Sequence, residues 1–232
     1  MVVVGTTLCG FAMSQPYGWE PWLYNAEEIQ KSLGGEEVRF FAAIQTDARG
    51  LDPFQPLLRR LGQLNADYWT YSLDDRRTQV TTANRLRHLT TGQNLVTDYC
   101  VSTGASRLLF MAADCAAPGD ALPKLLAVNN PIVGGQVATY CFDSPNLPEY
   151  PHFPVFAHMA TAAFVLIDRS VFRAIRWRWD LESGMSDDPC LEFDARTLLG
   201  VRSLIRRDCV GKHYPECIGS IEQRGYDLEV KR

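Results

Sequence analysis

Along its first two thirds the chain alternates short runs of β-branched and aromatic residues with longer stretches whose apolar side chains recur at helical spacing. Residues 2–4 (VVV) form a strand expected to run into a loop at Gly5-Thr6-Thr7. A helical pattern covers 19–32 and stops before Gly34-Gly35, since glycine readily takes the left-handed turn that closes a helix. Strands at 38–44 (VRFFAAI) and 67–73 (DYWTYSL) flank a helix at 56–64. The longest helix, 82–103, is stopped by Gly104, and LLFM at 108–111 makes a short buried strand. A helix at 118–128 starts near a proline, and 132–142 is strand again.

Such alternation with short connections predicts an α/β fold, a mostly parallel, Rossmann-like sheet flanked by helices. Ligands of such sheets sit beyond the carboxyl ends of the strands. Those ends carry Thr6, Thr7, Thr46, Asp47 and Asp114. The stretch 143–157 is proline-rich and aperiodic, a wandering loop or a lid over a site. A strand at 162–167, a short helix at 169–175 and a helix at 189–199 closed by Gly200 come after it, and the last 20 residues read as irregular. Without an internal repeat, low-complexity tract or linker, residues 1–232 read as one domain with halves at 1–130 and 131–232.

Composition changes this picture little. Of 232 residues, 46% are hydrophobic and 22% charged, enough for a sizeable core. A formal net charge of -4 gives no global electrostatic case for nucleic acid, although local basic clusters at 169–178 and 202–212 permit it. No run of 18 apolar residues occurs, and MVVVGTT lacks the basic start and cleavage site of a signal peptide. The seven cysteines are scattered and never spaced CxxC, which argues for reduced thiols, mostly small core residues. The expectation is a cytoplasmic protein with no stable membrane insertion.

Three stretches carry chemistry. The first is LLFMAADCAAPGDALPKLL at 108–126, a buried strand ending in Asp114, then proline, then Asp120 opening a helix. A carboxylate at a strand tip suits a hard cation that bridges a diphosphate, and Asp120 reads as a helix cap. The second is SDDPCLEFDARTLLG at 186–200. Its start is a strong helix signal, and acids there are kept ionised and aimed by the positive end of the helix, as a base requires. The third is RDCVGKHY at 207–214, where the lone His213 is either a structural residue or a ligand, with Lys212 beside it. The long helix adds Asn84, Arg85, Arg87, His88, Gly92 and Asn94. Arginine's planar fork suits phosphate.

In this order and spacing, from about residue 80 to 215, the motifs resemble those of inverting, family-2-like GT-A glycosyltransferases. The first stretch is similar to their strand and DxD motif, with Ala112 in place of the first Asp and Asp114 kept as the last. Pro131 to Gly135 resembles the PxVGG strand that comes next, and TAAFVLIDRSVF at 161–172 the strand and turn before their acidic helix. The resemblance implies transfer of a sugar from a nucleotide-sugar donor, a UDP-sugar as first choice, with Mn²⁺ or Mg²⁺ held by Asp114 and His213. It implies Asp187 or Asp188 as the base that deprotonates the acceptor. Thr6, Thr7, Thr46, Asp47, Arg85, Arg87, Asn94, Ala112, Ala113 and Lys212 become the expected donor contacts. Residues 1–130 would then bind the nucleotide sugar, and 131–232 would carry acceptor and catalytic groups.

Two other functions stay open. A nucleotidyltransferase-like enzyme would share the sheet and the carboxylate-bound metal, but the loop after the first strand, Gly5 to Gly10, lacks the basic residue that holds a triphosphate. A non-catalytic nucleotide-sugar-binding protein is kept alive by Ala112. The acceptor is a glycan or lipid precursor, a small metabolite, a protein, or a hydroxymethylated DNA base of the kind some phage enzymes modify. Trp177 and Trp179 are packing residues or an acceptor platform.

Overall fold

A computed structural model describes residues 1–9, 18–32, 37–46, 50–72, 82–138, 160–180, 182–183 and 185–213, with the backbone alone at 82–85, 136–138 and 212–213. The elements are β1 (Val2–Leu8), α1 (Glu20–Ser32), β2 (Val38–Gln45), a 3₁₀ turn at Asp52–Phe54, α2 (Gln55–Gln63), β3 (Asp67–Tyr71) and α3 (Thr82–Ser102). They continue as β4 (Arg107–Met111), β5 (Cys115–Ala116), α4 (Ala121–Leu126), β6 (Ile132–Ala138), β7 (Phe164–Asp168), α5 (Arg169–Ala174), α6 (Asp187–Leu199) and β8 (Leu204–His213).

These strands make one sheet of eight in the order β3-β2-β1-β4-β7-β6-β8-β5. Four of the seven neighbouring pairs are parallel, and β7 runs against both its neighbours. The sheet is therefore mixed and mostly parallel, with helices on both faces. Period-two alternation splits its side chains between two cores. Val2 and Val4 of β1, Phe40, Ala42 and Ile44 of β2, and Leu109 and Met111 of β4 pack with Trp22, Leu23, Ala26 and Ile29 of α1 and with α2 and α4. Val3, Phe41, Ala43, Leu108 and Phe110 face Val96, Tyr99 and Cys100 of α3, with α5 and α6. Both faces are apolar because both are covered.

Several boundaries move. Thr6 and Thr7 do not open a loop, because β1 pairs with β2 through Leu8 opposite Ile44. β-branched threonines fit a pleated strand, and both are buried there. The helix expected at 118–128 shrinks to α4, with Pro118 and Gly119 outside it. Asp120 occupies its N-cap position but makes no capping bond, and instead pairs with Lys124 at 2.8 Å. β8 extends as strand to His213, and β5 pairs with it. Asp47, the whole of 143–157 and the residues after 213 lie outside the described residues.

α3 crosses the carboxyl end of β1 at very close range. A Cβ added at Gly92 would lie 2.1 Å from Thr7 Cγ2 and 2.9 Å from the Tyr71 hydroxyl, so only glycine fits. The next residue, Gln93, is fully buried. Gly200 closes α6 in the left-handed conformation, with φ 67, as its position after the last turn predicts.

Candidate active site

The tip of β4 is pinned on two sides. Ala112 donates its amide to the Ala163 carbonyl at 3.0 Å, and the Ala113 carbonyl accepts from Trp22 N at 3.2 Å. The chain turns tightly, with Cys115 N to Ala112 O at 3.1 Å, and leaves Asp114 half-buried at the bend. Asn25 of α1 fixes the next three residues: its Nδ2 donates to Cys115 O at 2.6 Å and its Oδ1 accepts from Ala117 N at 3.0 Å. Across the sheet, β8 sets the backbone of His213 opposite Cys115 and of Lys212 opposite Ala116. Asp114 and His213, remote in sequence, therefore sit one register step apart.

The acidic helix reaches the same place through the turn before β7. Asp188 Oδ1 accepts the Ala162 amide at 2.6 Å, next to the Ala163 carbonyl that holds Ala112. Two backbone contacts thus join the tip of β4 to the first turn of α6. Asp187 points elsewhere: it is buried and accepts Gln93 Nε2 of α3 at 2.6 Å. Burial, and then the neighbouring Asp187 charge, hold the Asp188 carboxyl well above the usual carboxylate range, against the pull of the Ala162 amide. Further along α6, buried Glu192 binds Arg196 at 2.6 Å and the Ser203 amide at 3.2 Å. Ser203 Oγ in turn accepts from Ala160 N at 3.0 Å, so α6, β8 and the 160–163 turn form one unit.

The expected donor contacts divide. Thr6 and Thr7 are buried on β1, and neither hydroxyl has a partner among the described residues. Thr46 follows the end of β2, its amide donating to Tyr71 O at 2.8 Å. Arg87 is exposed on α3, and the Arg85 side chain lies outside the described residues. Asn94 is engaged elsewhere: its Nδ2 donates to Trp177 O and its Oδ1 accepts from Trp177 N, both at 2.9 Å. Trp177 is 5% exposed and packs against Phe110 with ring centres 5.6 Å apart, which makes it a packing residue.

Two of the four arginines in the basic cluster at 169–178 pair with acids. Arg178 binds Asp194 through two contacts of 2.8 Å, and Arg176 pairs with Asp98 of α3. Near the other cluster, Arg206 pairs with Asp208 at 2.6 Å. Five described cysteines are free thiols, and four of them are buried. No described helix is long and apolar enough to cross a membrane.

Asn25, Gln93 and Glu192 do not stand out in the sequence as functional residues, yet the first two leave a trace there. Asn25 lies among Trp22, Ala26 and Ile29 on the buried face of α1, and Gln93 precedes Val96 on that of α3. A polar residue on an apolar stripe marks a buried hydrogen bond.

Compared with solved structures, the chain aligns over 96% of its length with a mannosyltransferase of Pyrobaculum calidifontis in complex with GDP-Man and Mn2+, at TM-score 0.56 and 14% identity. The fold is that of the GT-A glycosyltransferases. The chain spans 59% of that structure's length. Looser likenesses at TM-scores of 0.44 and 0.43 link it to a glycosyltransferase involved in glycosylation of the major capsid of PBCV-1 and to the galactosyltransferase LgtC with donor and acceptor sugar analogs. The first covers 96% of this chain and 98% of that one at 6% identity, the second 72% and 58% at 12%. No family model matches the sequence. No curated protein matches it.

Proposed function

We propose that this GT-A chain moves a sugar from a nucleotide-sugar donor to an acceptor hydroxyl with inversion, and that Asp188 is the base. The observation that carries this reading is the pair of contacts Ala112 N–Ala163 O and Ala162 N–Asp188 Oδ1, which bring the acidic helix to the tip of β4. Asp188 is held by one oxygen while the residue stays half-buried, unlike the buried Asp187. A carboxylate with raised proton affinity is a better base near neutral pH than an ordinary aspartate. The acceptor oxygen bonds to the anomeric carbon as the bond to the diphosphate breaks. Its proton passes to Asp188, and the negative charge leaves on the nucleoside diphosphate.

Asp114 and His213 would hold a Mn²⁺ or Mg²⁺ ion. The fit rests on the half-buried carboxylate at the β4 tip and the backbone pairing of β5 with β8, and carboxylate with imidazole suits Mn²⁺. Such an ion neutralises charge on the leaving diphosphate. Thr6, Thr7, Thr46, Asp47, Arg85, Arg87, Ala112, Ala113 and Lys212 stay proposed donor contacts, whereas Asn94 is assigned to holding Trp177. A UDP-sugar remains the proposed donor, with GDP-sugars beside it because the mannosyltransferase was solved with GDP-Man and Mn2+. The acceptor is a glycan or lipid precursor, a metabolite, a protein or modified DNA. The pairing of Arg176, Arg178 and Arg206 weakens the DNA case.

A thermal-shift screen of UDP-, GDP-, dTDP- and CMP-sugars with and without Mn²⁺ tests this, since ligands of the native state raise its melting temperature. One donor class should raise it, more so with metal, and Asp114→Ala should abolish the metal-dependent part. No shift with any donor, or equal shifts in wild type and Asp114→Ala, would overturn the donor or the metal assignment respectively. Ala112 favours a second reading, a nucleotide-sugar-binding protein without transfer, which predicts a shift but no Mn²⁺-dependent hydrolysis of the donor.

A further inference from the structure

We propose that Gln93 is the positioning residue of the acidic pair: from α3 it fixes the Asp187 carboxylate, and so sets the direction in which the first turn of α6 presents Asp188. This rests on the reading of Asp188 as the base. Gln93 is fully buried and Asp187 is 6% exposed, and their contact of 2.6 Å is short, as expected for a donor meeting a charged acceptor. Only the amide NH₂ end can face a carboxylate, so the other end of Gln93 is committed. Its Oε1 is buried with no partner among the described residues. An orphaned buried carbonyl lowers stability, but an apolar side chain at this position would take the donor from the buried Asp187 carboxylate, which costs more. One polar end of Gln93 is therefore given up so that the other can hold Asp187 in a fixed direction.

The support behind Gln93 is rigid. Gly92 lies against Thr7, with no room for a Cβ, and Asn94 clamps the backbone of Trp177 from both ends. The Gln93 carbonyl accepts Thr97 Oγ1 at 3.1 Å, and Thr97 Oγ1 accepts Trp177 Nε1 at 3.2 Å. Consecutive helical residues project about 100° apart. Asp187 therefore turns towards α3 while Asp188 turns to the 160–163 turn, as their separate partners show. A first turn anchored at Asp187 cannot roll without moving Asp188, and a misplacement of about 1 Å in a reacting group can cost roughly a hundredfold in rate.

The test is a pair of single variants, Gln93→Glu and Asp187→Asn, with the two combined. Gln93→Glu sets two carboxylates face to face with no donor, Asp187→Asn leaves a neutral acceptor for Gln93 Nε2, and the combination restores a charged pair with polarity reversed. With the wild type as reference and the donor found by screening, Gln93→Glu should lower kcat by about ten- to a hundredfold, and Asp187→Asn, which keeps an acceptor for Gln93, by less. Donor KM should stay within about twofold, because uniform binding is untouched. The combined variant should recover to within about threefold of wild type. If Gln93→Glu does not fold, the combined variant must still fold and transfer. Gln93→Glu at the wild-type rate, or a combined variant no better than Gln93→Glu alone, would overturn the proposal; where Asp187→Asn is as slow as that combined variant, Asp187 is the base. A wild type that transfers from no donor refutes the proposed function itself, and with it this inference, and that failure shows in the reference sample rather than in the variants.

Discussion

Between β1 and β4 the sheet is held by matched apolar side chains: Phe40, Ala42 and Ile44 go to one core, Phe41 and Ala43 to the other, and the strands run parallel. From Ala112 to His213 the apolar packing continues, through Leu125, Val133, Phe164 and Leu191 among others, and individual polar contacts are added to it. They include Asp188 on the Ala162 amide, Asp187 on Gln93, Asn94 on Trp177, Arg178 on Asp194 and Glu192 on Ser203. Burial of apolar area is strong but undirected, and it is enough to build a frame. Hydrogen bonds add little net stability each but fix direction. In the second region these directed contacts orient the Asp187 and Asp188 carboxylates, where apolar packing sets only proximity.

That contrast breaks if removing apolar bulk and removing polar pins cost the same. Phe41 is fully buried and stacks on Tyr99 with ring centres 4.2 Å apart. Phe41→Ala should lower stability by about 3–5 kcal/mol in denaturant unfolding, while the folded fraction keeps its rate per molecule. Asp188→Asn should do the reverse. Transfer should fall by at least about a hundredfold, equivalent to about 2.7 kcal/mol of barrier, with donor binding near normal. Were transfer by Asp188→Asn close to wild type, the residue would be only a clamp on the 160–163 turn.

Asn94→Ala should fall between them, at about 1–3 kcal/mol of stability, because the Trp177 backbone groups lose their partner. A loss as large as that of Phe41→Ala would erase the difference between the regions. The raised Asp188 proton affinity sharpens it through pH. Below the ordinary carboxylate range both folded and unfolded chains hold the proton, and the group costs nothing. As pH rises through the unfolded value the unfolded chain ionises first, so stability falls until the raised folded value is passed. The melting temperature of Asp188→Asn should therefore gain on wild type as pH climbs from about 4. A constant gap would remove the burial argument for the base. The smallest effect belongs to Arg176→Ala, whose pair with Asp98 is half exposed. It should change stability by about 0.2–1 kcal/mol, less in high salt.

The fold was legible wherever a local pattern maps onto one environment. Strand runs and helical spacing located β1 to β4, α1 to α3 and α6 within a few residues, because both faces of the sheet are covered and its central strands are mostly apolar. β8 was not legible from its residues, LIRRDCVGKH, since a strand at the margin of a sheet keeps charged side chains. The acidic pair at 187–188 and the carboxylate at 114 stood out as chemistry, and so did the helix start that carries the pair.

Their roles did not stand out. Which of two adjacent acids is buried, and which meets the Ala162 amide, depends on how α6 is rotated against α3 and the 160–163 turn, and nothing within residues 186–200 encodes that rotation. By itself the sequence determined the order of elements, the sheet's apolar strands and the residue types available for transfer, because these arise from periodicity and side-chain chemistry. Only the tertiary structure decided that Ala112 meets Ala163, that β8 sets His213 beside the bend of Asp114, and that Gln93 rather than solvent holds Asp187. Such contacts join segments remote along the chain, and their geometry exists only once the two cores have packed.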